Sequence, residues 1–201
     1  MLADGIYYEA TRFEEPWPFY IIDNFLDTDL YDTLVSLIDS NFKFVDNWDN
    51  KLKYTSVVEN LNFPKKKALP LYTNARLAGN IDQNIANKLG HLLPSKYFCT
   101  SELILCDPNY SYHPHKDHPS KEYTLVVFLH PVNCNATTLM LNNTKQDVLW
   151  RQNRALFFSQ KEHGVHNYKN TTKLPRLTLN VYINSNERII FTVTNNNKNN
   201  K

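Results

Sequence analysis

Residues 155–183 read ALFFSQKEHGVHNYKNTTKLPRLTLNVYI, and this stretch decides the fold class. It opens on ALFFS (155–159), a short aromatic and aliphatic run, and closes on RLTLNVYI (176–183). In the closing run Leu177, Leu179, Val181 and Ile183 alternate with Arg176, Thr178, Asn180 and Tyr182. A period of two puts those sets on opposite faces of a β-strand. Similar runs lie outward of it at 101–106 (SELILC), 123–130 (YTLVVFLH), 137–141 (TTLML) and 188–194 (RIIFTVT). They are rich in β-branched and aromatic residues and are separated by Pro, Asn and Asp turns.

Before Pro94 the pattern is different. PFYII (18–22) reads as a strand, and Asp27 and Thr28 are placed to cap a helix running to about Ser40. Leu30, Leu34, Leu37 and Ile38 give that helix one apolar face. A second helix is expected from a cap at Asn80, with Ile81, Ile85, Leu89, Leu92 and Leu93 inward and His91 exposed. Residues 41–78 are ambiguous. Their Lys65-Lys66-Lys67 triplet reads as a solvated loop, with a substrate-binding role as the alternative. Helices first and strands afterwards predict an α+β, mainly β fold: a sandwich or jelly roll with N-terminal supporting helices. A single domain over 1–194 is expected, followed by a disordered polar tail, NNNKNNK, at 195–201.

Composition excludes several classes of function. At 201 residues the chain can bury roughly 70% of its unfolded surface, so it needs no staple to fold. Lys plus Arg number 22 against 20 Asp plus Glu, a net charge of +2, so no nucleic-acid partner is expected. Cys99, Cys106 and Cys134 form no CxxC pair, which argues against a disulfide framework or a thiolate zinc site and for a reducing compartment. No apolar run is long enough to span a membrane, and MLADGIYYEATRFEE has no signal-peptide core. A cytoplasmic protein without membrane partners is the expectation. The four glycines form neither GxGxxG nor a P-loop. Sequons at Asn109, Asn135, Asn142 and Asn170 are read as chance in an Asn-rich chain.

The chemistry-bearing residues gather in the β half. Six of the seven histidines lie between His113 and His166. His115-Lys116-Asp117 is an HxD triplet at a strand edge, and period-two geometry puts His115 and Asp117 on one face. EHGVH then supplies His163 and His166 after the strand ALFFS. Two histidines and one carboxylate can occupy three corners of a metal and leave adjacent positions open, the arrangement of non-haem Fe(II) oxygenases. His113, His118 and His130 are read as non-ligating. Arg176, opening the polar face of an apolar strand, calls for an anionic partner. A dicarboxylate held by a guanidinium fork with the Thr178 hydroxyl beside it fits that demand.

HxD, then FFSQKEHGVH, then RLTLN together resemble the Fe(II)/2-oxoglutarate-dependent dioxygenases, especially their prolyl-4-hydroxylase-like branch. PFYIIDNFLDTDLYDTLVSLI (18–38) is similar to the start of that branch, so the resemblance covers Pro18 to Asn184. It implies a double-stranded β-helix with Fe(II) in its mouth, 2-oxoglutarate as co-substrate and O2 as oxidant. It also implies His115 and Asp117 as ligands from the second core strand, and Arg176 gripping the distal carboxylate of 2-oxoglutarate. The family's spacing of about nine to eleven residues from histidine to arginine favours His166 over His163 as third ligand. Tyr112 and Thr124 are further candidates to line the co-substrate site.

Two features depart from the family. CNATTLML (134–141) lacks the Gly-Gly pair frequent there, and Phe128 stands near where relatives place a hydrogen-bonding tyrosine. The implied activity is hydroxylation of a peptidyl, prolyl-like residue or a small molecule, with release of succinate and CO2. The alternatives are a cupin-type site at His113-Pro114-His115, disfavoured by the distance to Glu122, and a non-catalytic jelly-roll module with an accidental triad.

Overall fold

The computed structural model describes residues 10–38, 45–46, 66–71, 74–118, 121–160 and 165–185. Its elements run in chain order as β1 (Thr11–Phe13), β2 (Phe19–Ile22), α1 (Thr28–Ser36), β3 (Val45–Asp46), β4 (Lys66–Pro70) and α2 (Ala75–Leu89). After a short 3-10 turn follow β5 (Phe98–Cys106), β6 (Ser111–His115), β7 (Tyr123–His130) and β8 (Thr137–Leu141). The chain then forms β9 (Thr144–Val148), β10 (Ala155–Ser159), β11 (Val165–Lys169) and β12 (Arg176–Asn184).

Two antiparallel sheets result. One has the order β1-β2-β10-β7-β12-β5-β4-β3, the other β6-β11-β8-β9. Strands β5 to β12 wind back and forth between the sheets, and the quartet β10-β7-β12-β5 faces β6-β11-β8-β9. That winding is a jelly roll, as the sequence predicts.

The alternation along β12 positions everything else. Leu177, Leu179, Val181 and Ile183 point to one side of the larger sheet with Leu125, Val127 and Leu129 of β7. Leu30 and Leu34 of α1 and Leu77, Ile81, Ile85 and Leu89 of α2 cover them. At about 1.5–3 kcal/mol for each fully buried aliphatic side chain, this layer dominates the fold's stability. On the other side, between the sheets, Trp17, Phe19, Phe128, Leu139, Leu156 and Phe158 plug one end. Ala68, Ile104, Cys106 and Tyr110 close the other end, with Tyr112 and Tyr168 packed against them.

Several boundaries differ from the sequence reading. Helix α1 stops at Ser36 rather than near Ser40, with Leu37 and Ile38 in a turn. Asn80 is not a cap but lies inside α2, where its carbonyl accepts from the Asn84 amide at 2.9 Å. The cap is Asn74, whose side chain accepts from Leu77 N at 3.1 Å. Leu77, four residues before Ile81, starts the buried apolar face one turn earlier than expected, and Ala75, Arg76 and Ala78 favour the helix there. Lys66 is not in a solvated loop: it belongs to β4 and is 9% exposed, because β4 extends the larger sheet beside β5. His91 is exposed, as expected. The run 188–194, the tail, Lys65 and most of 41–65 lie outside the described residues.

Candidate active site

All four polar-face residues of β12, Arg176, Thr178, Asn180 and Tyr182, line a cavity of about 310 Å³ between the sheets. His115, Asp117, His166, Tyr112 and Thr124 line the same cavity. Pairing of β6 with β11 sets His115 directly opposite His166. Asp117 follows two residues past His115, just beyond the end of β6. One ligand atom from each of His115, Asp117 and His166 lies within 4.8 Å of the others, the spacing of a metal site. His163 lies outside the described residues, and His113, His118 and His130 take no part in the cluster.

The surroundings put these groups in ligand-ready states. Nδ1 of His115 lies 3.0 Å from the His113 carbonyl, which only accepts, so Nδ1 carries the proton and Nε2 offers its lone pair. Burial lowers the His115 pKa below its ordinary 6.5, which keeps the ring neutral. Burial pushes Asp117 up, but Lys121, His166, the Thr124 hydrogen bond and His115 outweigh it and hold the carboxyl below its ordinary 3.8. Thr124 Oγ1 and Gln160 Nε2 each donate to Asp117 Oδ2 at 2.9 Å, and Gln160 Nε2 also lies 2.7 Å from Thr124 Oγ1. These bonds fix one carboxylate oxygen. The other, Oδ1, lies 3.9 Å from His115 Nε2 and 3.6 Å from Lys121 Nζ. Lys121 Nζ in turn stands 3.5 Å over the ring of Tyr182, which donates to Glu102 at 2.8 Å.

At the far end Arg176 is 1% exposed. Its guanidinium stacks on Tyr168 at 4.1 Å, Trp150 at 4.9 Å and Phe128 at 5.7 Å. Nη2 makes a long bond to Thr137 Oγ1 at 3.4 Å, and buried Nε has no partner. A buried, under-satisfied cation costs free energy until an anion meets it. Thr178 Oγ1 donates to Asn180 Oδ1 at 2.9 Å, so it must turn from Asn180 to serve an anion. Tyr112 packs edge-on to His115 at 4.2 Å and stacks on Tyr168 at 5.5 Å. Phe128 contributes an aromatic face to the guanidinium in place of a hydroxyl.

The structure brings His115, Asp117, His166, Tyr112, Thr124, Arg176 and Thr178 to one cavity; Gln160, Lys121 and Tyr168 were not singled out in the sequence, and Lys66 stood there only in a triplet read as a solvated loop, with substrate binding as the alternative. Tyr168 stands two residues past His166, so recognising β11 as a strand would have found it. Gln160 follows β10 with no pattern to single it out.

No protein-family model matches the chain, and no curated protein matches it either. Solved structures do. A prolyl hydroxylase of Trichoplax adhaerens, in complex with a hypoxia-inducible-factor oxygen degradation domain peptide fragment, aligns over 87% of this chain and 86% of its own with a TM-score of 0.61 at 16% identity. The viral collagen prolyl hydroxylase of Paramecium bursaria Chlorella virus-1, in its 2-oxoglutarate complex, aligns over 93% of this chain and 100% of its own, with a TM-score of 0.57 at 16% identity. HygX of Streptomyces hygroscopicus, with nickel and 2-oxoglutarate bound, aligns over 84% of this chain and 83% of its own, with a TM-score of 0.62 at 10% identity. The fold is therefore the jelly roll of the 2-oxoglutarate/Fe(II) oxygenases. Within that class, prolyl hydroxylases recur among the structures it resembles.

Proposed function

We propose that the chain is an Fe(II)- and 2-oxoglutarate-dependent oxygenase that hydroxylates a peptidyl, prolyl-like residue. One observation carries the reading: the His115–Asp117–His166 cluster and the under-satisfied guanidinium of Arg176 line the same cavity. The donor set fits the metal, since two neutral imidazoles and one carboxylate suit Fe(II) and leave positions for other ligands. Bound Fe(II), with 2-oxoglutarate and O2, would supply the oxidative chemistry that yields succinate, CO2 and a hydroxylated product.

The chain's own residues do the rest. His115 Nε2, Asp117 and His166 hold the metal, while Thr124 and Gln160 keep the carboxylate aimed. Arg176 takes the far carboxylate of 2-oxoglutarate in a fork, and Tyr168, Trp150 and Phe128 keep water from it. A peptide substrate is supported by the likeness to the peptide-bound Trichoplax enzyme. Among the described residues, no helix is long and apolar enough to cross a membrane.

The test is succinate release from 2-oxoglutarate with proline-containing peptides and, separately, free amino acids. Peptides should stimulate release, and Asp117→Ala should abolish it. Stimulation by free amino acids alone would move the substrate to small molecules. Unchanged turnover in Asp117→Ala would remove Asp117 from the site.

A further inference from the structure

Lys66 stands in register with Arg176. β4 pairs with β5 so that Lys66 is opposite Cys106, and β5 pairs with β12 so that Cys106 is opposite Arg176. Residues opposite one another in a sheet project to the same side. Lys66, Cys106 and Arg176 therefore form one row across three strands, directed between the sheets. Both cations line the cavity, and Lys66 is nearly as enclosed as the core around it.

Each cation rests on one of two stacked tyrosines. Lys66 Nζ lies 4.2 Å over the Tyr112 ring, and the Arg176 guanidinium lies 4.1 Å over Tyr168. Those rings stack 5.5 Å apart at 23°. Tyr112 also packs edge-on to His115 at 4.2 Å, so the ring that carries Lys66 joins the metal-spaced cluster to the Arg176 end of the cavity. Two cations that line one low-dielectric cavity favour a carboxylate placed where both can reach it.

We infer that Lys66 is a second anchor for the co-substrate, sharing its metal-distal carboxylate with Arg176 and setting the preference for a dicarboxylate over a monocarboxylate 2-oxo acid. This rests on the oxygenase reading above. The experiment is calorimetric titration of the Mn(II)-loaded protein with 2-oxoglutarate and with 2-oxopentanoate, which lacks the distal carboxylate.

Lys66→Met should weaken 2-oxoglutarate about tenfold or more, the scale of a charge-assisted hydrogen bond, and leave 2-oxopentanoate within about twofold. Lys66→Arg should keep most of the affinity, and Mn(II) binding should not weaken in either variant. Unchanged 2-oxoglutarate affinity in Lys66→Met, or equal loss for both acids, would overturn the assignment. A wild-type protein that binds Mn(II) but no 2-oxoglutarate would instead overturn the oxygenase reading, and the anchor with it.

Discussion

The two faces of β12 obey different rules although one alternating sequence builds both. Its outward face, Leu177, Leu179, Val181 and Ile183, is fully buried under the helices. On its inward face Arg176 and Thr178 are each 1% exposed and Asn180 and Tyr182 are half-buried, yet that face is polar throughout. The outer face stabilises the fold by burial; the inner one holds polar groups out of water to meet a ligand. Alternation on a central strand therefore need not mean one wet face. Where both faces are covered, the polar one marks a site.

The largest effect expected from breaking this division is on the outer face. Leu179→Ala should cost about 2–5 kcal/mol of stability, read by denaturant melts, because helix-side packing cannot collapse onto the gap. Metal affinity at native temperature should be unchanged. The inner face should show the reverse. Arg176→Met should weaken 2-oxoglutarate by about 10- to 100-fold in calorimetry. It should not lower the melting temperature, since an apolar side chain replaces a buried cation whose Nε has no hydrogen-bond partner among the described residues.

A milder change sharpens the same contrast. Thr124→Val removes a donor to Asp117 Oδ2 and should weaken metal binding about tenfold, the usual scale for a residue that orients a ligand, leaving Gln160 as the remaining donor.

The smallest effect lies outside both faces. Arg154 forks Asp23 at 2.7 and 2.9 Å, and Arg151 adds a bond at 3.0 Å. The Arg154 bond leads in holding the Asp23 carboxyl below its ordinary 3.8. A depressed carboxyl contributes stability that is present above its unfolded pKa and lost as pH falls through the folded one. Arg154→Met should therefore cost less than about 1 kcal/mol at pH 7, because the pair is partly solvated. The difference from wild type should shrink to nothing in strong acid.

Sequence showed the central strands and the residues of the metal-spaced cluster, and the edges poorly. β7, β8 and β10 have the bounds their apolar runs predict, and β12 runs one residue further. β6 showed only through its HxD edge and β11 escaped, because their residues, SYHPH and VHNYK, are polar and aromatic and at most partly buried. β9, TKQDV, is an exposed edge strand with no alternation to read. The candidate ligands were legible because motif spacing names residue types, whereas Lys66 and Lys121 are ordinary lysines until pairing brings them to the cavity. Asn74 and Asn80 are equally good caps in composition; the buried Leu77 between them, one turn before Ile81, decides which one is used.

The central claim, that His115, Asp117 and His166 form a metal site shared with 2-oxoglutarate, is met most directly by anaerobic titration with Fe(II) and then 2-oxoglutarate, following the visible spectrum. A charge-transfer band should appear only after the keto acid is added, be absent in His166→Ala and be retained in His163→Ala. A wild-type protein that gives no band and releases its iron on washing would contradict that claim, and a band that survives in His166→Ala would remove His166 from the metal.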